Sequence, residues 1–396
     1  VAGQRQPDAV HQLVAAMNTL LGNVNRTVSF IDREQHDAIT IEELKLACDA
    51  EEVETLVILD GNPVYDAPAD LDWKTAQRKA KHVIRLGYYE DETSQDVDWH
   101  LPMTHYLESW GDNRSSKGYW LPVQPLIAPL FKGFSEIELL SRLAGQADTK
   151  GYEIARSTLR AIIGDSDFEA QWKQCLHDGH HESLKTQIVS LNVQTFDWSK
   201  LTLQIGEAIT DEAQFTQASK DALEVVFHRD ASMDDGRFHN NGWMQECPDP
   251  ITKITWDNAI LMSRRTAVEL GDLKNEELIE VNLEGRKLTG PVWIQPGYAD
   301  FSLGMALGYG RPSPGRVGSL GDRSVGYNAY SLRGTTSKNF TVGGTVKRLN
   351  KTFPLACTQD HWSMEGRAIV REANLENYET KRDFAQNMDL EAHSAH

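Results

Sequence analysis

The sequence predicts an α/β domain with a parallel sheet, followed by an all-β domain that closes into a small barrel. In the first half, short apolar runs at 55–59 and 82–89 flank a helical segment, the order typical of parallel strands joined by a crossover. From about residue 250 onward, apolar and polar residues alternate, and glycine and proline crowd positions 296–345. This change of pattern predicts two units of different class.

Local signals mark the helices of the first half. Apolar residues recur at helical spacing from His11 and stop at Gly22, a typical helix end. Thr40, with Glu43 three positions later, predicts a capping box and therefore a helix that begins there. Helical periodicity also marks residues 72–81 and 136–144.

The strands of the second half form at least one predicted hairpin. Residues 278–283 and 287–294 alternate between apolar and polar, and Glu284-Gly285 supplies the turn between them. The predicted boundaries are 1–145 for the α/β domain, 146–240 for a helical and irregular connecting region, 241–371 for the barrel domain and 372–396 for an acidic extended tail.

The charge of the chain argues against a nucleic-acid partner, and its hydropathy argues against a membrane-spanning helix. The formal net charge of -18 argues against nucleic acid, because binding phosphates needs a basic surface. No run of 18 apolar residues occurs, so the sequence predicts no helix that spans a membrane. The chain begins at Val1 without an initiator methionine or a signal-like segment, which predicts a partial or processed chain.

Two glycine-containing loops are candidate anion sites. Gly61, Asn62 and Pro63 follow the first predicted parallel strand, at the sheet edge where ligands of α/β folds bind. Arg311 and Arg316 lie in a second loop, whose backbone N–H groups and guanidinium groups suit a phosphate or a carboxylate. The alternative for the first loop is a simple tight turn, and the alternative for the second is a loop at the rim of the barrel.

Two polar clusters could hold a cation, although a solvated loop is the favoured interpretation of each. One is the acidic stretch 91–98, and the other comprises Cys175, His177, His180 and His181. The four cysteines of the chain form no C-x-x-C pair, which excludes a zinc ribbon or a ferredoxin-type cluster within this sequence.

Several segments, taken together and in order, resemble the molybdopterin oxidoreductase superfamily. They are residues 1–7, 18–23, 55–63, 92–111, 123–129, 297–300 and 307–311. This resemblance implies that the α/β domain is Rossmann-like and that the barrel is of the double-psi type.

Other segments resemble one branch of that superfamily, the ActB subunits of Alternative Complex III. They are residues 241–246, 248–253, 256–259, 326–333 and 359–372. The resemblance implies a cofactor-free, molybdopterin-like scaffold in a complex that oxidises quinol at the periplasmic face of a bacterial inner membrane. It implies partner subunits, namely a multihaem cytochrome and an integral-membrane quinol-binding subunit. It also implies iron–sulfur clusters in a downstream half that this sequence does not contain.

The resemblance also implies roles for residues late in the chain. Arg333 could approach a pterin phosphate if a pterin were bound. A group before the expected cluster half could pack against a cluster or carry protons, and it comprises Gln359, His361, Glu365 and Arg367. Bulky residues near the acidic stretch, among them Trp99 and Trp110, are expected to fill the space that a cofactor would take.

Two other functions stay open. The chain could be the C-terminal part of a catalytic oxidoreductase with a bis-pterin cofactor between its two domains. It could also be a stand-alone nucleotide- or metal-binding protein, for which Cys175, His177, His180 and His181 would be the metal ligands.

Overall fold

An open sheet and a closed barrel organise the protein. The structure, a computed structural model, describes residues 1–6, 8–31, 38–115, 117–182, 188–189, 199–200, 202, 206, 217–320, 323–359 and 371–387. In this part of the chain no helix is long and apolar enough to cross a membrane.

The first unit is a three-stranded parallel sheet with its helices. Its elements are α1 (Asp8–Leu20), β1 (Phe30–Ile31), α2 (Ile41–Asp49), β2 (Thr55–Leu59), α3 (Pro63–Asp66), a 3-10 turn (Ala69–Leu71), α4 (Trp73–Gln77), β3 (His82–Gly87), a second 3-10 turn (Ser94–Asp96) and β4 (Trp99–Pro102). The strand order is β2-β3-β4, and β3 pairs in parallel with each neighbour. The parallel sheet predicted from the apolar runs is therefore confirmed.

The helix α2 begins with the predicted capping box. The Thr40 hydroxyl accepts from Glu43 N at 3.2 Å, and the Glu43 carboxylate accepts from Thr40 N at 2.7 Å. Each contact satisfies a backbone N–H that the first helical turn leaves without a partner.

Thr40→Ala is expected to lower the free energy of unfolding by about 1 kcal/mol, because it removes one of these contacts. Thr40→Ser keeps the hydroxyl and should retain most of the stability in the same urea titration. An equal loss for both variants would contradict a capping role.

A helical layer built around aromatic rings follows the parallel sheet. Its elements are β5 (Gly111–Arg114), β6 (Trp120–Val123), α5 (Glu136–Leu143), α6 (Gly151–Ile163), α7 (Phe168–Asp178) and β7 (Ile188–Val189). Trp172 is 2% exposed and packs on Phe168, Trp120 and Trp110, with ring centroids 6.0–6.3 Å from its own. This cluster fastens α7 to the hairpin β5-β6.

The second unit contains a closed six-stranded barrel. Its elements are β8 (Leu223–His228), α8 (Gly242–Glu246), β9 (Ile254–Thr255), β10 (Ile260–Met262), α9 (Arg264–Glu269), β11 (Glu277–Leu283), β12 (Arg286–Ile294), β13 (Ser302–Ala306), β14 (Ser319–Leu320), β15 (Arg323–Ser324), a 3-10 turn (Ala329–Leu332), β16 (Phe340–Thr352), β17 (Ala356–Cys357) and α10 (Leu375–Thr380). The barrel order is β10-β12-β11-β16-β8-β13. Strand β8 lies before position 241, the predicted start of the barrel domain.

Alternation of side chains fills the barrel. Along β8 every second residue is buried, and the residues that point inward include Val225, Ile279, Val292 and Leu303, each 0% exposed. Two pairs of neighbouring strands are parallel, β10 with β12 and β8 with β13, and the others are antiparallel. The predicted barrel is confirmed as a closed barrel.

Loops join the two units. The Tyr65 hydroxyl on α3 donates to Tyr309 O at 2.7 Å, and Ala69 N donates to Arg333 O at 2.8 Å. Asp70 accepts from the Thr335 hydroxyl, also at 2.7 Å. The loops after β2 and β3 therefore face loops of the barrel, and the candidate site lies at this junction.

Candidate functional site

The loop after β2 is a tight turn at the carboxyl end of the parallel sheet. Asp60 and Gly61 have φ values of 53° and 58°, and Pro63 occupies the first turn of α3. The Asn62 side chain then reaches the loop after β3. Its oxygen accepts from Thr93 N at 3.1 Å and from the Thr93 hydroxyl at 2.7 Å, so the two strand-end loops are held together.

A buried ion pair connects these loops to the barrel. Arg311 Nη2 donates to Glu92 Oε2 at 2.7 Å, and both residues are 5% exposed. Glu92 also accepts from Asn62 Nδ2 at 2.7 Å and from Ser313 N at 2.8 Å, while Arg311 Nη1 donates to Gly236 O at 2.9 Å. Burial alone would raise the pKa of Glu92, but the hydrogen bond and charge of Arg311 hold it below its usual value.

A second buried ion pair lies behind the first. Arg85, 2% exposed, donates to both carboxylate oxygens of Asp91 and to Gly61 O at 2.6 Å. Arg311 Nη2 is 3.8 Å from the same aspartate. The carbonyl of Gly61, the Asn62 amide and the Arg311 guanidinium are therefore engaged by groups of the chain itself.

The space that remains at the strand-end loop is small. A cleft of about 80 Å³ is lined by Asp60, Gly61, Asn62, Tyr65, Asp66, Tyr88, Tyr89, Asp235, Gly236, Arg237 and Arg311. Sites for cofactor-sized ligands enclose roughly 300 to 1,000 Å³. The residues at this loop therefore do not fit a pterin dinucleotide.

A larger and more basic cavity lies on the other side of Asp66. It measures about 560 Å³ and is lined by Gln4, Arg5, Ile41, Asp66, Ala67, Pro68, Phe227, Arg229, Asp235, Leu307, Tyr330, Arg333, Lys338 and Asn339. Lys338 is paired with Glu42 at 2.5 Å, and Arg229 with Asp234. Arg333 donates to Lys338 O at 2.6 Å and stacks over Tyr330. Its charge acts on the Asp66 carboxylate in the same cavity.

Two carboxylates, Asp66 and Asp235, form the wall that the cleft and the larger cavity share. Burial, together with the charge of Asp235, raises the pKa of Asp66 to about 7. For Asp235 burial acts in the same direction, but hydrogen bonds from Arg237 hold its pKa below the usual value. Asp66 is thus the carboxyl of this junction that changes charge near neutral pH.

Comparison with known proteins bears on the fold. No protein-family model matches the chain, and no curated protein matches it. Among solved structures it is similar to acetylene hydratase from Pelobacter acetylenicus, with a TM-score of 0.53 and 13% sequence identity. The match covers 77% of this chain and 46% of that one, so the chain spans about half the length of this structural relative.

The likeness indicates that this chain shares the fold of that enzyme over the matched residues. At 13% identity it concerns the fold alone. The mixed architecture of a parallel α/β sheet and a closed barrel agrees with it.

The structure separates the predicted anion-binding residues. Gly61, Asn62 and Arg311 meet at the cleft, whereas Arg333 lines the larger cavity. Arg316 is exposed and borders a third cavity of about 230 Å³, which Arg311 also lines. The second loop therefore brings one of its arginines into the junction and leaves the other at the surface.

Cys175, His177, His180 and His181 do not converge on a common point in the structure. Among the described residues, no three His, Cys, Asp or Glu side chains converge as metal ligands. Cys175 is 1% exposed inside the aromatic layer, where burial raises the pKa of its thiol to about 11. His177 instead pairs with Asp178 at 2.8 Å, and His181 pairs with Trp120 through its backbone.

Of the late candidate residues, only Gln359 lies within the described part of the chain. Its carbonyl accepts from the Cys357 thiol at 3.0 Å, beyond strand β17. His361, Glu365 and Arg367 lie outside the described residues.

Two interpretations of the acidic region were wrong. Asp91 and Glu92 are buried, not solvated, because Arg85 and Arg311 neutralise them. Trp99 is 66% exposed and does not fill a cofactor space. Trp110 instead packs in the helical layer, and the aromatic residues that line the cleft are Tyr65, Tyr88 and Tyr89.

Proposed function

We propose that the chain is a cofactor-free, molybdopterin-oxidoreductase-like scaffold within an ActB-type subunit of a quinol-oxidising complex. The observation that carries this proposal is the buried contact of Arg311 with Glu92 and of Glu92 with Asn62. The groups that would face a dinucleotide at the strand-end loop instead bind each other and hold the α/β sheet against the barrel.

Opening this junction for a pterin would be costly. An anion that took Arg311 would leave the Glu92 carboxylate buried without its cation, and breaking a buried pair in this way costs roughly 3–5 kcal/mol. A scaffold gains from the same contacts, because they fix the relative position of its two units.

In this proposal the redox centres belong to other parts of the complex. Iron–sulfur clusters lie in a further half of the subunit, and haem lies in a multihaem cytochrome partner. An integral-membrane subunit binds quinol at the periplasmic side of the inner membrane. The ordered sequence motifs support this assignment, and so does a barrel whose parallel strand pairs suit the double-psi type.

Metal and pterin analysis of the native assembly tests the proposal. We expect molybdenum, tungsten and pterin far below one equivalent per chain, together with co-purifying haem and integral-membrane subunits. Stoichiometric molybdenum or tungsten with pterin would overturn the scaffold function.

The larger cavity favours a second candidate, the C-terminal part of a catalytic bis-pterin oxidoreductase. Its volume of about 560 Å³ and the guanidinium of Arg333 suit an anionic cofactor. If this candidate is correct, Arg333→Met should lower the pterin content of the purified assembly, while Arg348→Met on strand β16 should not.

A further inference from the structure

The larger cavity between the two units has charges of both signs in its wall. Lys338, Asp235 and Arg229 are each held in an ion pair with a neighbouring residue. The other charged side chains of the wall are Arg5, Arg333 and Asp66. These last three are the groups that the cavity offers to a ligand.

Both arginines are positioned by contacts to the backbone. Arg5 Nη1 donates to Phe227 O at 3.1 Å, and Arg333 Nε donates to Lys338 O at 2.6 Å. Arg333 also lies over the ring of Tyr330. Within the described residues, each guanidinium keeps N–H donors that make no other hydrogen bond. A guanidinium that is held before binding loses little side-chain entropy when it meets an acid group.

The carboxylate of Asp66 is the acidic group of the same wall. It makes no hydrogen bond to the described residues, and it forms no direct ion pair with Arg333, although both line the cavity. The charged groups that act on it are Asp235, Arg333, Arg311 and Arg85. Arg311 and Arg85 are engaged in buried ion pairs of their own. A cationic donor in the cavity would therefore give Asp66 a contact that the described chain does not supply.

We propose that the larger cavity binds an anionic amino acid, a small molecule with two acid groups and one ammonium group. The acid groups meet Arg5 and Arg333, and the ammonium group meets Asp66. A dicarboxylate that lacks the amine would bring only negative charge towards Asp66 and Asp235. A simple amine would leave both guanidinium groups without an anion. The cavity volume of about 560 Å³ lies within the range of small-molecule sites, roughly 300 to 1,000 Å³.

Calorimetric titration of the purified protein with three related probes tests the ligand class. L-glutamate carries all three groups, glutarate lacks the amine, and 4-aminobutyrate lacks the α-carboxylate. At pH 8, above the pKa of about 7 of Asp66, we expect glutamate to bind about tenfold more tightly than either of the others. Equal affinities for glutamate and glutarate would overturn the proposal, and so would a lack of binding by all three.

Substitutions in the wall assign the groups of the ligand to their partners. Asp66→Asn keeps the shape of the side chain and removes the charge that holds the ammonium group, so the preference for glutamate over glutarate should fall from about tenfold towards one. Arg333→Met should weaken the binding of both probes alike. Arg348→Met, at the barrel surface, is the matched control and should change neither affinity. Thermal melts of each variant establish that it is folded, and an unchanged preference in folded Asp66→Asn would contradict the proposal.

The ligand of the cavity and the scaffold function can fail separately. The metal and pterin analysis decides the scaffold function, whereas the titrations decide the ligand. Pterin-free protein that does not bind glutamate would reject the ligand alone. Stoichiometric pterin that glutamate does not displace would reject both, because the second candidate function places the pterin in this same cavity.

Discussion

Replacing Arg311 with methionine is expected to lower the free energy of unfolding by about 3–5 kcal/mol at pH 7. The substitution leaves the Glu92 carboxylate 5% exposed and without its cation. It also leaves Gly236 O without its donor. Urea titrations followed by tryptophan fluorescence measure the loss.

Two controls distinguish the buried pair from a general effect of losing an arginine. Arg348→Met removes a pair with Glu277 at the barrel surface and should cost less than about 1 kcal/mol. Combining Arg311→Met with Glu92→Gln should cost less than the sum of the two changes, by roughly 1–3 kcal/mol. Additive losses would show that the two side chains do not stabilise each other.

The fold could be predicted where the sequence pattern is local. The runs 55–59 and 82–89 contain the strands β2 and β3, because contiguous apolar residues suit a buried parallel strand. The hairpin at Glu284-Gly285 was also predicted from the sequence. In the structure both residues have positive φ, the geometry of a type I′ turn.

The pairing of strand β8 could not be predicted from local sequence patterns. Leu223–His228 alternates as a strand should, yet its partners β13 and β16 begin only at Ser302 and Phe340. No signal near residue 223 indicates that the chain returns to pair there, and the segment was therefore predicted to belong to the connecting region 146–240. Pairing between distant segments depends on the whole fold.

The same limit applies to the site. Gly61 and Asn62 could be placed at the sheet edge, because a turn after a parallel strand lies there in any such fold. Arg311 was a candidate to bind an external anion, and the structure supplies an internal one, Glu92, from 219 positions earlier in the chain. The signal that could have indicated this pair is the acidic stretch next to a strand end, because buried carboxylates require a cationic partner.

The two units are therefore joined by charges that differ in their pH dependence. Burial raises the pKa of Glu92 and Arg311 lowers it, and the net effect of all its contacts is a lowered pKa that keeps the carboxylate ionised. Asp66, at the same junction, faces Asp235 and has no hydrogen-bond partner for its side chain within the described residues. The charged form of Glu92 therefore stabilises the junction, whereas the charged form of Asp66 destabilises it.

Asp66→Asn is accordingly expected to raise the free energy of unfolding above pH 7, by roughly 2 kcal/mol after allowance for partial exposure. The pKa of Asp66 is about 7 in the folded chain, against the usual 3.8 when unfolded. The folded state therefore holds a proton that the unfolded state releases, and wild-type stability falls as the pH rises from about 4 to about 7. The amide has the same shape and does not titrate, so the variant should lack this decline.

Asp70→Asn, at the same junction, is expected to change the free energy of unfolding in the opposite direction. Burial alone would raise the pKa of Asp70, but hydrogen bonds from Thr335 hold it below the usual value. The carboxylate form therefore stabilises the fold above pH 4, and the amide should destabilise it there. If Asp66→Asn gave the same pH profile as the wild type, Asp66 would be ionised in the folded chain, and the junction would not respond to neutral pH through this residue.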